Sequence, residues 1–115
     1  MTGFSKLLPR LLETKVYVGS SAGSMVLGHR ISTEIYQHVY GEGDDFGTTR
    51  YLELVNLAIK PHMNSQYFPN NNEDSLLKAA KGYTGIIYGL EDDAAIVVNG
   101  GSMTCIGSKP VIIND

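Results

Sequence analysis

The chain has 115 residues, 43% of them hydrophobic and 18% charged, with a formal net charge of −3. That is at most one domain, rich enough in apolar residues to form a core and not a disordered tail. The small negative charge, with no basic cluster, argues against nucleic-acid binding as the main role, and the apolar runs are far too short to span a bilayer.

In chain order, Phe4, Leu7, Leu8, Leu11 and Leu12 recur at helical steps, which predicts an amphipathic helix packed against a sheet. Pro9, Arg10 and Glu13 break up this leading segment, so it holds no signal-peptide core, and the cytoplasm is the expected location. Lys15-Val16-Tyr17-Val18 reads as a buried strand. It runs into Gly19-Ser20-Ser21-Ala22-Gly23, a Gly-x-Ser-x-Gly pentad, and a helix is expected from Ala22 to about Gly28. Strand, tight turn and helix in that order make a nucleophile elbow. The glycines allow close approach and strained dihedrals, and Ser21 stands at the apex. The Ala22 amide then opens a helix, where unpaired N–H groups favour negative charge.

From His29 to Tyr51 the pattern weakens, and residues 41–47 form a loop by composition. Residues 54–59 are expected to be a buried strand that stops at Lys60-Pro61, with His62 at its carboxyl end. A polar loop follows over residues 67–72, and Asn71 or Asn72 is the expected N-cap of a helix over residues 73–81. Gly82 ends that helix. Short strands are expected at residues 86–88 and 94–98, separated by the acidic turn Glu91-Asp92-Asp93. Asn99-Gly100-Gly101 makes a hairpin turn into residues 102–106, and residues 111–113 form a last strand. Cys105 is the only cysteine, so there is no intrachain disulfide and no cysteine-based metal site. Strand and helix alternate up to Tyr88, as in a parallel α/β sheet, and the end reads as antiparallel.

In such sheets, sites collect at the carboxyl ends of strands, where Ser21, His62 and the acidic turn all fall. A serine needs a base within hydrogen-bond reach, and His62 is better placed for this than His29 or His38, which read as surface residues. The base in turn needs a carboxylate to hold its tautomer. The residues leave this open: Glu91, Asp92 and Asp93 by strand-end placement, or Asp44 and Asp45 by the chain order of α/β-hydrolases. The dispersed histidines show no metal-ligand spacing, and no cofactor is expected.

With Gly19-Ser20-Ser21-Ala22-Gly23-Ser24-Met25, Ile59-Lys60-Pro61-His62 and Gly89-Leu90-Glu91-Asp92-Asp93-Ala94-Ala95-Ile96 in that order, nearly the whole chain resembles the peptidase E and cyanophycinase family. The resemblance implies an α/β fold like the class I glutamine amidotransferases (flavodoxin-like). It would have a partial parallel sheet flanked by helices and a C-terminal antiparallel β extension. It also implies a serine peptidase in which Ser21 is the nucleophile, His62 the base and Asp92 the acid, with the Ala22 amide as one oxyanion donor. The family's usual acid is glutamate; aspartate is one methylene shorter, which puts its reach to His62 to the test, and Glu91 is the fallback.

Relatives cleave at aspartyl residues, in N-terminal Asp dipeptides or in cyanophycin. A cation is then expected at the substrate, with Arg30, Arg50 and Lys60 the nearest candidates by motif. Family members carry further strands and helices ahead of the elbow strand, including a turn that supplies a second oxyanion donor. Residues 1–115 are therefore expected to form a single α/β domain like the C-terminal half of such an enzyme. The rival expectation is an inactive interaction module whose exposed sheet edge pairs with itself, as a homo-oligomer, or with a separate N-terminal half. An esterase using Asp44 or Asp45 is a third.

Overall fold

A computed structural model describes residues 3–31, 35 and 51–115. The elements are α1 (Phe4–Leu11), α2 (Ala22–Met25), β1 (Ala58–Lys60), α3 (Glu73–Ala79), β2 (Ile87–Gly89), β3 (Ala95–Asn99), β4 (Ser102–Ile106) and β5 (Val111–Ile113). Mixed α/β architecture is thus present. β1 and β2 run parallel, Ala58 opposite Ile87 and Lys60 opposite Gly89, and β5 adds antiparallel to the other side of β2. β3 and β4 form a separate antiparallel hairpin, closed from Asn99 to Ser102 through Gly100 at φ +60°. No helix among the described residues is long and apolar enough to cross a membrane.

Strand alternation divides the core. Ala58, Ile87 and Ile113 face one side of the sheet, where Met25, Ile31, Ile35, Met63, Leu76 and Ala80 cover them. Leu57, Ile59, Tyr88 and Leu90 form a smaller cluster on the other side. Helix α3 reaches its place through an N-cap: Asn72 is extended, and its Oδ1 accepts the Ser75 amide at 3.0 Å. Glu73 and Asp74 in the first turn and Lys78 in the last suit the helix dipole.

Several expectations are corrected. The strand expected at residues 15–18 forms no ladder among the described residues, and Val16 and Val18 are 89% and 88% exposed. A β-favouring sequence becomes a strand only with a neighbour to pair with. The strand expected over residues 54–59 is confined to Ala58–Lys60. Upstream of it, the Leu52, Leu54 and Val55 amides bond to the carbonyls of Val26 and Leu27, and Leu57 accepts from the His29 amide at 2.8 Å. Those groups are then unavailable to a sheet. Gly28 permits this crossing, because a Cβ there would collide with the Leu57 carbonyl. Helix α2 ends at Met25, three residues short of the expected end, as the chain turns towards this crossing. Helix α1 buries only Leu8 of its apolar stripe, leaving Phe4, Leu7 and Leu11 exposed, and the Phe4 ring lies 6.5 Å from that of Tyr17 in the following segment.

Candidate active site

The turn between residue 18 and α2 is held in a strained shape by its own backbone. Ser21 has φ 51° and ψ −121°, a region costly for a residue with a Cβ, on the order of 1–3 kcal/mol. Three donors on its carbonyl hold it there: the Ser24 and Met25 amides at 3.0 and 3.1 Å and the Ser24 hydroxyl at 2.6 Å. The Tyr17 hydroxyl donates to the Gly23 carbonyl at 2.8 Å. A Cβ on Gly19 would collide with that same carbonyl, so the bend requires glycine. This bend leaves the Ser21 hydroxyl exposed. The amide that follows, of Ala22, is among those at a helix start that have no carbonyl of their own helix to bond.

His62 arrives from the other side. β1 ends at Lys60, Pro61 stops the ladder, and His62 turns out of the strand with φ +63°. Its ring lies 5.3 Å from that of Phe68. The Leu90 amide bonds to the Lys60 carbonyl at 2.8 Å and the Met63 amide to the Leu90 carbonyl at 2.9 Å. These two bonds tie the ends of β1 and β2 together and bring the acidic turn beside the imidazole.

The result is a hydrogen-bonded row. Ser21 Oγ lies 2.9 Å from His62 Nε2, and His62 Nδ1 lies 2.6 Å from Asp92 Oδ1. An ionised carboxylate only accepts, so Nδ1 carries the proton, and in the neutral ring Nε2 is left to accept from the serine hydroxyl. The side chains of His62 and Asp92 are 29% and 58% exposed. The aspartate reaches the imidazole despite its short side chain. The other carboxylates of the turn are engaged elsewhere: Glu91 accepts from Asn64 Nδ2 at 2.7 Å and Asp93 from the Ser108 hydroxyl at 2.9 Å. Asp44 and Asp45 lie outside the described residues, as do His38 and Arg50.

The row borders a cleft of about 370 Å³ whose walls include Val16, Val18 and Leu27 on one side and Ala95 and Ile96 of the hairpin on another. Among the described residues lining it, two are acidic, Glu91 and Asp92, and none is lysine or arginine. Two of the cations expected near a substrate are therefore displaced. Lys60 alternates to the opposite face from Ile59, is fully buried, and donates from Nζ to the Pro61 carbonyl at 3.2 Å; burial lowers its pKa from 10.5 to about 7. Arg30 lines a separate depression with Asn56 and Glu53. His29, expected to be a surface residue, keeps a side chain 38% exposed there, and its Nε2 lies 3.0 Å from Asn56 Oδ1. No group of three or more His, Cys, Asp or Glu among the described residues is placed to hold a metal ion. Cys105 is exposed on β4, opposite Ile96 of β3.

Asn64, Phe68 and Asn71, which support His62 or its neighbours, escaped the sequence reading. They sit in a polar loop with no periodicity, and the only signal there, a run of asparagines before an acidic helix start, pointed to a cap.

A nucleophile, a base and an orienting carboxylate in one row can carry out acyl transfer. A family model described as peptidase family S51 matches residues 2–106. No curated protein and no solved structure gives a significant match.

Proposed function

The chain belongs to peptidase family S51, the family of peptidase E and cyanophycinase, and from that premise we propose a serine peptidase-type hydrolase in which Ser21, His62 and Asp92 act as the triad. Ser21 Oγ attacks the scissile carbonyl while its proton passes to His62 Nε2. Asp92 keeps the ring in the required tautomer and stabilises the imidazolium. The Ala22 N–H donates to the oxygen as it becomes anionic. Collapse of the tetrahedral intermediate expels the amine, which takes the proton from His62, and leaves an ester on Ser21. A water activated by His62 hydrolyses that ester and restores the serine. The observation that carries this reading is the contact of Ser21, at its strained φ, with His62 at 2.9 Å, continued to Asp92 at 2.6 Å.

A class I glutamine amidotransferase-like fold is supported by the parallel β1–β2 pair with the elbow ahead of it, in one domain resembling the C-terminal half of such enzymes. An aspartyl substrate is carried over from the resembled enzymes; with Lys60 and Arg30 off the cleft, Arg50 is the remaining candidate to receive its carboxylate. Release of nitroaniline from Asp-p-nitroanilide and from Ala-p-nitroanilide tests both levels. Turnover is expected from the wild type and lost in Ser21→Ala, with the aspartyl compound preferred. Equal rates for wild type and Ser21→Ala would overturn the mechanism, and a preference for the alanyl compound would overturn the aspartyl specificity alone.

A second reading is favoured by the exposure of Val16, Val18, Phe4 and Leu7. In it the segment over residues 15–18 pairs with a second copy or with a separately encoded N-terminal half, and pairing rather than hydrolysis is the function. Light scattering of the purified chain, alone and with such a half, decides: a monomer in both samples removes this reading.

A further inference from the structure

His62 is neither glycine nor asparagine, yet its backbone sits at φ +63°. Positive φ is uncommon for a residue with a Cβ, although histidine adopts it more readily than most, and here the surroundings favour it. Asn71 is the side chain that does so. It is fully buried, and its Nδ2 donates to both the Pro61 carbonyl at 2.8 Å and the His62 carbonyl at 2.7 Å. The orientation of the amide is not arbitrary: flipped, it would set Oδ1 against two carbonyl oxygens. In the observed orientation Oδ1 is buried and finds no partner among the described residues, a cost that the two bonds to the Pro61 and His62 carbonyls offset. The backbone of Asn71 adds to the clamp, accepting from the Asn64 amide at 2.7 Å and donating to the Phe68 carbonyl at 2.9 Å. The cap of α3 is not its task, since the neighbouring Asn72 does that.

We infer that Asn71 is a positioning residue for the hydrolysis: its carboxamide holds the Pro61–His62 backbone in the conformation from which the imidazole meets Ser21 and Asp92 together. The inference rests on the reading of His62 as the base. It acts through His62, since Asn71 is fully buried and is not among the residues that line the cleft. Loss of the clamp lets His62 relax towards ordinary backbone angles and swings the ring away from both partners. Displacements of that kind, near 1 Å, cost about 10²-fold in rate.

The test combines proton NMR of the His62 Nδ1–H, which a short bond to Asp92 shifts far downfield, with steady-state hydrolysis. In the full chain, Asn71→Ala is expected to abolish the downfield resonance while the amide signals of the β3–β4 hairpin stay in place. It is also expected to lower kcat about 10²-fold with KM little changed. Asn71→Ser, which keeps one donor, recovers part of both and serves where the alanine variant fails to fold. An unchanged downfield resonance in either folded variant overturns the positioning role. A wild type with an Asn71-dependent resonance but no hydrolysis supports the positioning role and overturns the hydrolase reading instead.

Discussion

Lys60 carries a pH dependence whose size follows from its burial. The amine is fully buried at the end of β1 and titrates at about 7, against 10.5 for the exposed group. The unfolded chain restores the higher value. Between pH 7 and 9 the unfolded state therefore holds a proton on Lys60 that the folded state has shed, and stability rises with pH. The slope is at most about 1.4 kcal/mol per pH unit, so the folded chain gains on the order of 2 kcal/mol across that window. Well below pH 7 both states are protonated and Lys60 contributes no slope. Lys60→Met keeps an unbranched stem and removes the titrating group. It should flatten the dependence and leave the protein at least as stable at pH 7, because an apolar side chain of similar volume commonly replaces a buried charge without loss. Urea unfolding of both proteins at pH 7, 8 and 9 gives the two slopes directly. Parallel slopes would refute the assignment, and a large drop in stability of Lys60→Met at pH 7 would show that the polar contacts of the amine, the bond to Pro61 among them, outweigh the cost of its burial.

Other substitutions separate the site from its supports. Asp92→Asn replaces the acceptor-only carboxylate with an amide that can also donate, so the His62 tautomer is no longer fixed, and it is expected to lower turnover of the aspartyl nitroanilide by ~10³–10⁴; Glu91→Gln, whose partner is Asn64, should stay within a few-fold of wild type in the same assay. Gly19→Ala drives a Cβ into the Gly23 carbonyl and is expected to cost about 1–3 kcal/mol of stability, with loss of turnover; urea titration and the hydrolysis assay read the two effects. Asn72→Ala takes away the cap of α3 and should cost ~1 kcal/mol with kcat unchanged, in contrast to the variants of its neighbour Asn71.

What was legible in the sequence was what local chemistry decides. The cap at Asn72, the charge order of α3 and the turn at Gly100 depend on residues within a few positions of one another. The bend at Ser21 was legible for the same reason, through the spacing of Gly19 and Gly23, and Pro61 marked the strand end from which His62 departs. The strands expected at residues 15–18 and 54–57 failed because β structure is a contract between distant segments. One found no partner among the described residues, and the other gave its backbone groups to the turn after α2. The family resemblance pointed to Asp92, while the residues alone left Glu91, Asp92 and Asp93 open for a related reason. The choice among them depends on Asn64 and Ser108, which occupy the two flanking carboxylates from elsewhere in the fold. Likewise, the burial of Lys60 and the double bond of Asn71 to the histidine's backbone leave no periodic trace.

Covalent labelling with a fluorophosphonate, followed by mass mapping of the modified residue, tests the central claim most directly. The expected result is a single adduct on Ser21 in the wild type, absent from Ser21→Ala and strongly reduced in Asp92→Asn. An adduct on another serine, or equal labelling of wild type and Ser21→Ala, would contradict it.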